Sequence, residues 1–171
     1  LHRSADGGAT WEEVRLPGLE GRVRDDGGTG GGSHFAFFLD RHVLTADPVA
    51  ADTFYLYHGD LGVFVSSDGG ASWMRRRGDP PAAGGNGFFN ARLEAVPGRA
   101  GHLLFTPGPL DGAAPPMSQS RDGGRTWEIV EGTSSVEAIG FGVAHTADGP
   151  PTVYLAGTIG ADRTVIQHDV A

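Results

Sequence analysis

The chain has 171 residues, with glycine at 29 positions and proline at 11. Both residues interrupt helical hydrogen-bond ladders, so long helices and coiled coils are excluded. A net charge of −8 argues against nucleic acid as a partner, and the absence of cysteine excludes disulfides, a thiol nucleophile and cysteine-ligated metal.

The length suits a single domain with one sizeable core. No apolar run approaches the roughly 20 residues of a membrane helix, so no membrane partner is expected. The first residues do not read as a signal peptide, and the chain opens at Leu1 without a methionine, as a processed or partial chain would.

The first predicted element is a turn, Ser4-Ala5-Asp6-Gly7-Gly8-Ala9-Thr10-Trp11. It recurs as Ser66-Ser67-Asp68-Gly69-Gly70-Ala71-Ser72-Trp73 and as Ser120-Arg121-Asp122-Gly123-Gly124-Arg125-Thr126-Trp127. Each copy of this S-x-D-G-G-x-[ST]-W box reads as a β-hairpin turn. The aspartate accepts from nearby N–H groups, and the paired glycines supply left-handed φ angles. The tryptophan opens the next strand with a large apolar face and one N–H that needs a partner.

Between the boxes, short alternating or apolar runs predict strands. The first unit offers His34–Leu39, His42–Thr45, Thr53–Tyr57 and Gly62–Ser66, with His58–Leu61 as a tight connection. The second offers Arg92–Val96, His102–Thr106, Met117–Ser120 and Trp127–Glu131. A third begins with Glu137–Ala144, Thr152–Gly157 and Arg163–His168. Boxes that recur about every 50–60 residues, with several short strands between them, predict β-propeller blades of four strands.

The expected fold is therefore all-β, an incomplete β-propeller of four-stranded antiparallel blades. Residues 1–16 would end one blade, 34–78 and 90–131 would form two whole blades, and 137–171 would form part of another. A further period after Trp127 would place a fourth tryptophan beyond Ala171, so the phase of the repeat reads as a fragment.

The boxes resemble the Asp-box, or BNR, repeat of sialidases, sortilin-type receptors and several glycoside hydrolase propellers. Three further stretches resemble glycoside hydrolase family 74, in that family's order. They are Ala46-Asp47-Pro48 with Thr53-Phe54-Tyr55-Leu56-Tyr57, then Ala95–Gly101, then Glu137–Ala144 with Val153–Ile159. The resemblance implies a xyloglucanase-like glucanase, secreted or periplasmic, with two seven-bladed propellers and a cleft between them. It implies an inverting mechanism with two aspartates flanking the glycosidic bond. This chain would correspond to the closing part of the second propeller. No stretch matches either catalytic segment, so no catalytic residue and no cofactor is assigned. The implied partners are a polysaccharide or oligosaccharide and the remaining blades of the parent propeller.

The box residues Ser4, Asp6, Gly8 and Trp11, Ser66, Asp68, Gly70 and Trp73, and Ser120, Asp122, Gly124 and Trp127 are read as structural. Their aspartates sit in equivalent turns of different blades, whereas paired catalytic carboxylates lie roughly 5–10 Å apart. The EF-hand spacing is absent and the seven histidines form no metal-ligand motif, so no metal is expected. Arg75-Arg76-Arg77 reads as a solvated outer strand or an inter-blade salt bridge. A sialidase would show a Phe/Tyr-Arg-Ile-Pro motif, and none is present.

Two groups remain as candidates for sugar contact: Phe88, Phe89 and Asn90 in a glycine-rich loop, and His34, Phe35 and Phe37 after Gly27–Ser33. Aromatic rings stack on sugar faces; core packing is the competing reading. A non-catalytic propeller that binds protein or glycan is the alternative function.

Overall fold

The computed structural model describes residues 1–18, 43–58, 61–81, 91–107, 116–146, 149–160 and 162–169. The described residues contain strands and turns and no helix. In chain order the strands are β1 (His2–Arg3), β2 (Glu12–Glu13), β3 (Leu44–Ala46), β4 (Phe54–His58), β5 (Gly62–Ser66), β6 (Met74–Arg75) and β7 (Arg92–Ala95). They continue as β8 (Leu103–Thr106), β9 (Ser118–Ser120), β10 (Glu128–Ile129), β11 (Thr133–Gly142), β12 (Thr152–Ile159) and β13 (Asp162–Asp169).

These strands form four antiparallel sheets. β1 pairs with β2, β3-β4-β5-β6 and β7-β8-β9-β10 are four-stranded meanders, and β11-β12-β13 has three strands. The architecture is that of an incomplete β-propeller.

Strand β5 occupies Gly62–Ser66 as expected. The fourth member of the first four-stranded sheet is β6, in the stretch after Trp73 that reads as an outer strand, and its first is β3, Leu44–Ala46, which overlaps the expected His42–Thr45. The expected strand His34–Leu39 lies outside the described residues. β6 is two residues long and exposed on both, so no alternation marks its bounds.

The sheets stack through their faces. In β4 and β5 the register sets Tyr55 opposite Val65, Leu56 opposite Phe64 and Tyr57 opposite Val63. Side chains alternate across a strand, so these pairs divide between two faces. Tyr55, Tyr57, Val63 and Val65 pack on Leu93, Ala95, Leu103 and Phe105 of the next sheet. Leu56 and Phe64 face the other way, onto Val14, Leu16 and Trp73. The far face of the second sheet carries Leu104 and Met117 against Val136, Val153 and Leu155.

Covered on both faces, β5 and β8 are buried along their whole length and read as nearly unbroken apolar runs. Burying one side chain the size of Phe64 stabilises the fold by ~1.5–3 kcal/mol.

Polar bonds fix the orientation of neighbouring sheets. The Ala95 N–H donates to Thr45 Oγ1 at 3.3 Å, Arg92 Nε to the Glu137 carbonyl at 2.8 Å and Thr106 Oγ1 to the Val136 carbonyl at 2.6 Å. Asp47 does most here. Its Oδ1 accepts from the Val49 and Ala50 N–H groups at 2.9 and 2.7 Å. Its Oδ2 accepts from Tyr55 Oη at 2.9 Å and, across the sheet interface, from the Gly101 N–H at 2.7 Å.

Burial raises the carboxyl's pKa, but these donors outweigh it and hold the group below its ordinary value. The same neighbourhood pushes the Tyr55 hydroxyl up to about 12, through burial first and then the bond to Asp47.

Replacing Asp47 with alanine strands the Tyr55 hydroxyl and the Gly101 N–H, and should cost about 3 kcal/mol in urea unfolding. Because the folded carboxyl has a depressed pKa, its contribution is complete above the unfolded value and fades as pH falls through the folded one. The stability gap between wild type and Asp47→Ala should therefore narrow below about pH 4. Trp73 is 7% exposed and Trp11 65% exposed. Trp73→Ala should thus cost ~3–5 kcal/mol and Trp11→Ala less than ~1 kcal/mol, read as shifts in the same unfolding midpoint.

Candidate functional site

The repeated turn is the most regular polar structure in the chain. In each copy the serine Oγ donates to one aspartate oxygen, at 2.8 Å in the first two and 2.9 Å in the third. The second glycine's N–H donates back to that serine, at 2.7 Å for Gly8 and 2.9 Å for Gly70 and Gly124.

The Thr10, Ser72 and Thr126 N–H groups donate to the same aspartate oxygen, each at 2.9 Å. Their hydroxyls donate to the other oxygen at 2.6, 2.5 and 2.6 Å. The loop closes only because both glycines take positive φ, between 69° and 93° across the three copies. L-residues with a Cβ resist that region.

This network decides the chemistry of the three carboxyls. For Asp6 and Asp68 the bond from the Thr10 or Ser72 hydroxyl is the largest cause, and each pKa is lowered to about 2. At Asp122 burial opposes the shift, but the Thr126 and Ser120 bonds prevail and the value is again about 2. A carboxyl held there is ionised at neutral pH and cannot serve as a general acid. Both oxygens of each are occupied by donors from their own turn.

The second and third turns also join neighbouring elements. Gly69 N–H donates to the Asp52 carbonyl and Gly123 N–H to the Gly101 carbonyl, each at 2.9 Å. From the preceding sheet, Arg3 Nε donates to the Gly69 carbonyl at 2.7 Å and Arg76 Nε to the Gly123 carbonyl at 2.9 Å. The arginine cluster therefore divides its work: Arg76 forms an inter-sheet bond to backbone, and Arg75 pairs with Asp79 at 3.4 Å. Gly78 lies so close to the third turn that a Cβ there would come within 2.1 Å of the Arg125 carbonyl oxygen.

The tryptophans diverge despite their equal positions. Trp11 and Trp73 each donate Nε1 to the carbonyl of their own second glycine at 3.2 Å. Trp127 Nε1 is buried without a partner. Its ring instead meets Phe105 edge-on, at 6.1 Å between centroids, and Phe105 contacts Tyr57 at 4.6 Å. Aromatic packing draws this copy away from the bond that the others make.

The two ends of the sheets differ. The boxes and the 47–53 and 96–102 turns lie at one end. At the other end lie the C-terminus of β4, the start of β5, the C-terminus of β6 and the start of β7. His34, Phe35, Phe37, Phe88, Phe89 and Asn90, the residues expected to contact sugar, lie outside the described residues.

At the box end a shallow groove is lined by Gly98, Arg99, Ala100, His102 and Arg121. His102 is buried, which lowers its pKa, and its Nε2 lies 3.2 Å from Gln119 Oε1. Arg121 is 3.5 Å from Glu128. Among the described residues no His, Asp and Glu cluster could hold a metal ion.

Sequence reasoning missed Asp47 and Arg3 as joints between sheets; of the Arg75-Arg76-Arg77 run, read as an outer strand or an inter-blade salt bridge, Arg76 does reach the next sheet, but its partner is a backbone carbonyl and not a carboxylate. An Asx turn was legible in Asp47-Pro48, but the partner of its second oxygen is far along the chain.

No family model matches the chain. A xyloglucanase from Paenibacillus sp is 26% identical over 202 residues, covering 97% of this chain and 18% of that protein. The GH74 enzyme of Niastella koreensis aligns with a TM-score of 0.61 at 26% identity, over 74% of this chain and 17% of the other. The GH74 xyloglucanase of Xanthomonas campestris aligns with a TM-score of 0.63 at 24% identity, over 98% and 20%. The chain thus spans about a fifth of the length of the relatives it matches. It is similar to part of a glycoside hydrolase and has the fold of a GH74-like β-propeller.

Proposed function

We propose that this chain is part of a xyloglucanase-like glycoside hydrolase acting on β-glucan or xyloglucan, from the second propeller, and that the repeated turns are Asp-boxes that brace blades. The similarity to a xyloglucanase over 97% of this chain supports the hydrolase reading, and the saturation of each box carboxylate by its own turn, with a pKa of about 2, supports the bracing role. Inverting hydrolysis needs one carboxyl that is protonated near working pH and a second that activates water. The box aspartates can be neither, and no stretch of this chain resembles a catalytic segment of the family, so the reading assigns the catalytic pair to other segments of the parent. The similarity to a Paenibacillus xyloglucanase supports the substrate class. A secreted or periplasmic location follows from the same reading.

Sugar contact falls to His34, Phe35, Phe37, Phe88, Phe89 and Asn90, and the remaining blades would complete the cleft. A glycan-binding or protein-binding scaffold without hydrolysis is the second reading, favoured by the same confinement of the box carboxylates to their turns.

On xyloglucan, the chain alone should release no reducing sugar above background, and robust turnover would overturn the assignment of catalysis to other segments. In affinity electrophoresis through xyloglucan the chain should be retarded, and Phe88→Ala and Phe89→Ala should each relieve the retardation. Equal mobility of all three with and without polysaccharide would remove the sugar contact.

A further inference from the structure

The groove at the box end lies between the 96–102 turn and the third box, and both of its sides present a guanidinium. Arg99 is exposed, and its side chain has no partner among the described residues. Arg121 is held loosely, by Gln119 Oε1 at 3.4 Å and Glu128 Oε1 at 3.5 Å. Gln119 Oε1 in turn lies 3.2 Å from His102 Nε2; an amide oxygen only accepts, so that nitrogen carries the proton. His102 is buried, which lowers its pKa and leaves the imidazole neutral near pH 7, and the charges of Arg121 and Arg99 lower it further. Two guanidiniums therefore converge on one buried, uncharged ring. Gly98 and Ala100 add no bulk between them, and the groove encloses about 500 Å³.

Neither arginine is needed to build the blade. The 47–53 and 96–102 turns are closed by the same backbone bond, Asp47 N–H to the Thr53 carbonyl and Val96 N–H to the His102 carbonyl. Ala50 is thus the counterpart of Arg99, and Ser67 of the second box is the counterpart of Arg121. The counterpart rim positions Val49, Ala51 and Ser67 are exposed even though the second sheet packs against the first. A following sheet therefore leaves this rim open. The Arg121–Glu128 pair is exposed on both partners, and such pairs contribute little, so Glu128 does not lock Arg121 away from a ligand.

We propose that this groove binds a carboxylate between Arg99 and Arg121, and that its ligand class is a glycan bearing a single uronic acid. Each guanidinium presents a planar fork of N–H donors that matches the two oxygens of a carboxylate. Two guanidiniums less the Glu128 carboxylate leave one positive charge, which suits a monoanion. The net charge of −8 opposes phosphorylated and other polyanionic ligands. Space beside the arginines admits the sugar ring that bears the acid. The choice of sugar rests on the glycoside hydrolase reading, whereas the choice of carboxylate rests on the groove alone.

The test is an NMR titration of the full chain that follows the Arg99 and Arg121 Nε–H signals. The probe is xylotriose bearing one glucuronic acid, and the control is the same oligosaccharide with its carboxyl reduced to an alcohol. The acid should shift both signals and the alcohol neither. Arg99→Gln and Arg121→Gln should each weaken binding about tenfold, as expected for one charge-assisted contact. Glu128→Gln should strengthen it about threefold, since the competing carboxylate is gone. All three positions are exposed, so the urea midpoints of the variants should match wild type, which separates lost binding from lost fold. An equal response to acid and alcohol, or unchanged affinity in the arginine variants, would overturn the site. Equally tight binding of the acetylated amide of glycyl-glutamyl-glycine would overturn the sugar class. Binding is read here without turnover: a silent groove in a chain still retarded by xyloglucan would sink this proposal and leave the hydrolase reading standing.

Discussion

The structure depends on one constraint: each four-stranded sheet has two apolar faces, and neither can be left in water. Phe64 and Phe105 are fully buried, yet they face opposite neighbours, one toward Val14 and Leu16 and the other toward Tyr57 and Trp127. A sheet of this kind has no solvent side, so the stable arrangement is a stack in which every sheet is the cover of the next. Strand order, the brevity of the outer strands and the distribution of polar bonds all follow from keeping that stack in register.

The polar groups do what apolar contact cannot, which is to fix orientation. Asp47 ties one sheet's first turn to the next through Gly101, and Arg3 and Arg76 tie each sheet to the following box. Val96 occupies the turn position equivalent to Asp47, its N–H donating to the His102 carbonyl as that of Asp47 donates to Thr53. There the contact is apolar, against Val136 and Val153. The same place in two successive sheets is thus a hydrogen-bonded joint once and a hydrophobic one the next time. Such alternation is possible because the spacing is set by the stack and not by any single bond.

The box illustrates how a carboxylate-rich motif can be chemically quiet. Four donors surround each aspartate, and the charge they stabilise is the one that keeps the turn closed. Tight solvation by its own loop gives a rigid connector and removes the group from proton transfer. The third copy departs in its tryptophan alone. Trp127 gives up the bond to its glycine for the face of Phe105, so packing prevails over a single hydrogen bond when the aromatic neighbours are large enough.

By itself the sequence determined the repeated turn, the β-propeller class and most of the strands, because Asp-Gly-Gly geometry and alternating apolar residues are local properties. β5 was legible to the residue, whereas β6 was not, since a two-residue exposed strand has no periodicity of its own. Only the tertiary structure decided which polar side chains join sheets. Asp47 meets Gly101, Arg3 meets Gly69 and Arg76 meets Gly123 across long stretches of chain, and no local pattern encodes a partner brought near by stacking. It also decided that the second and third boxes are unequal, with Trp73 bonded to its own glycine and Trp127 packed on Phe105, because packing depends on the neighbour and not on the motif.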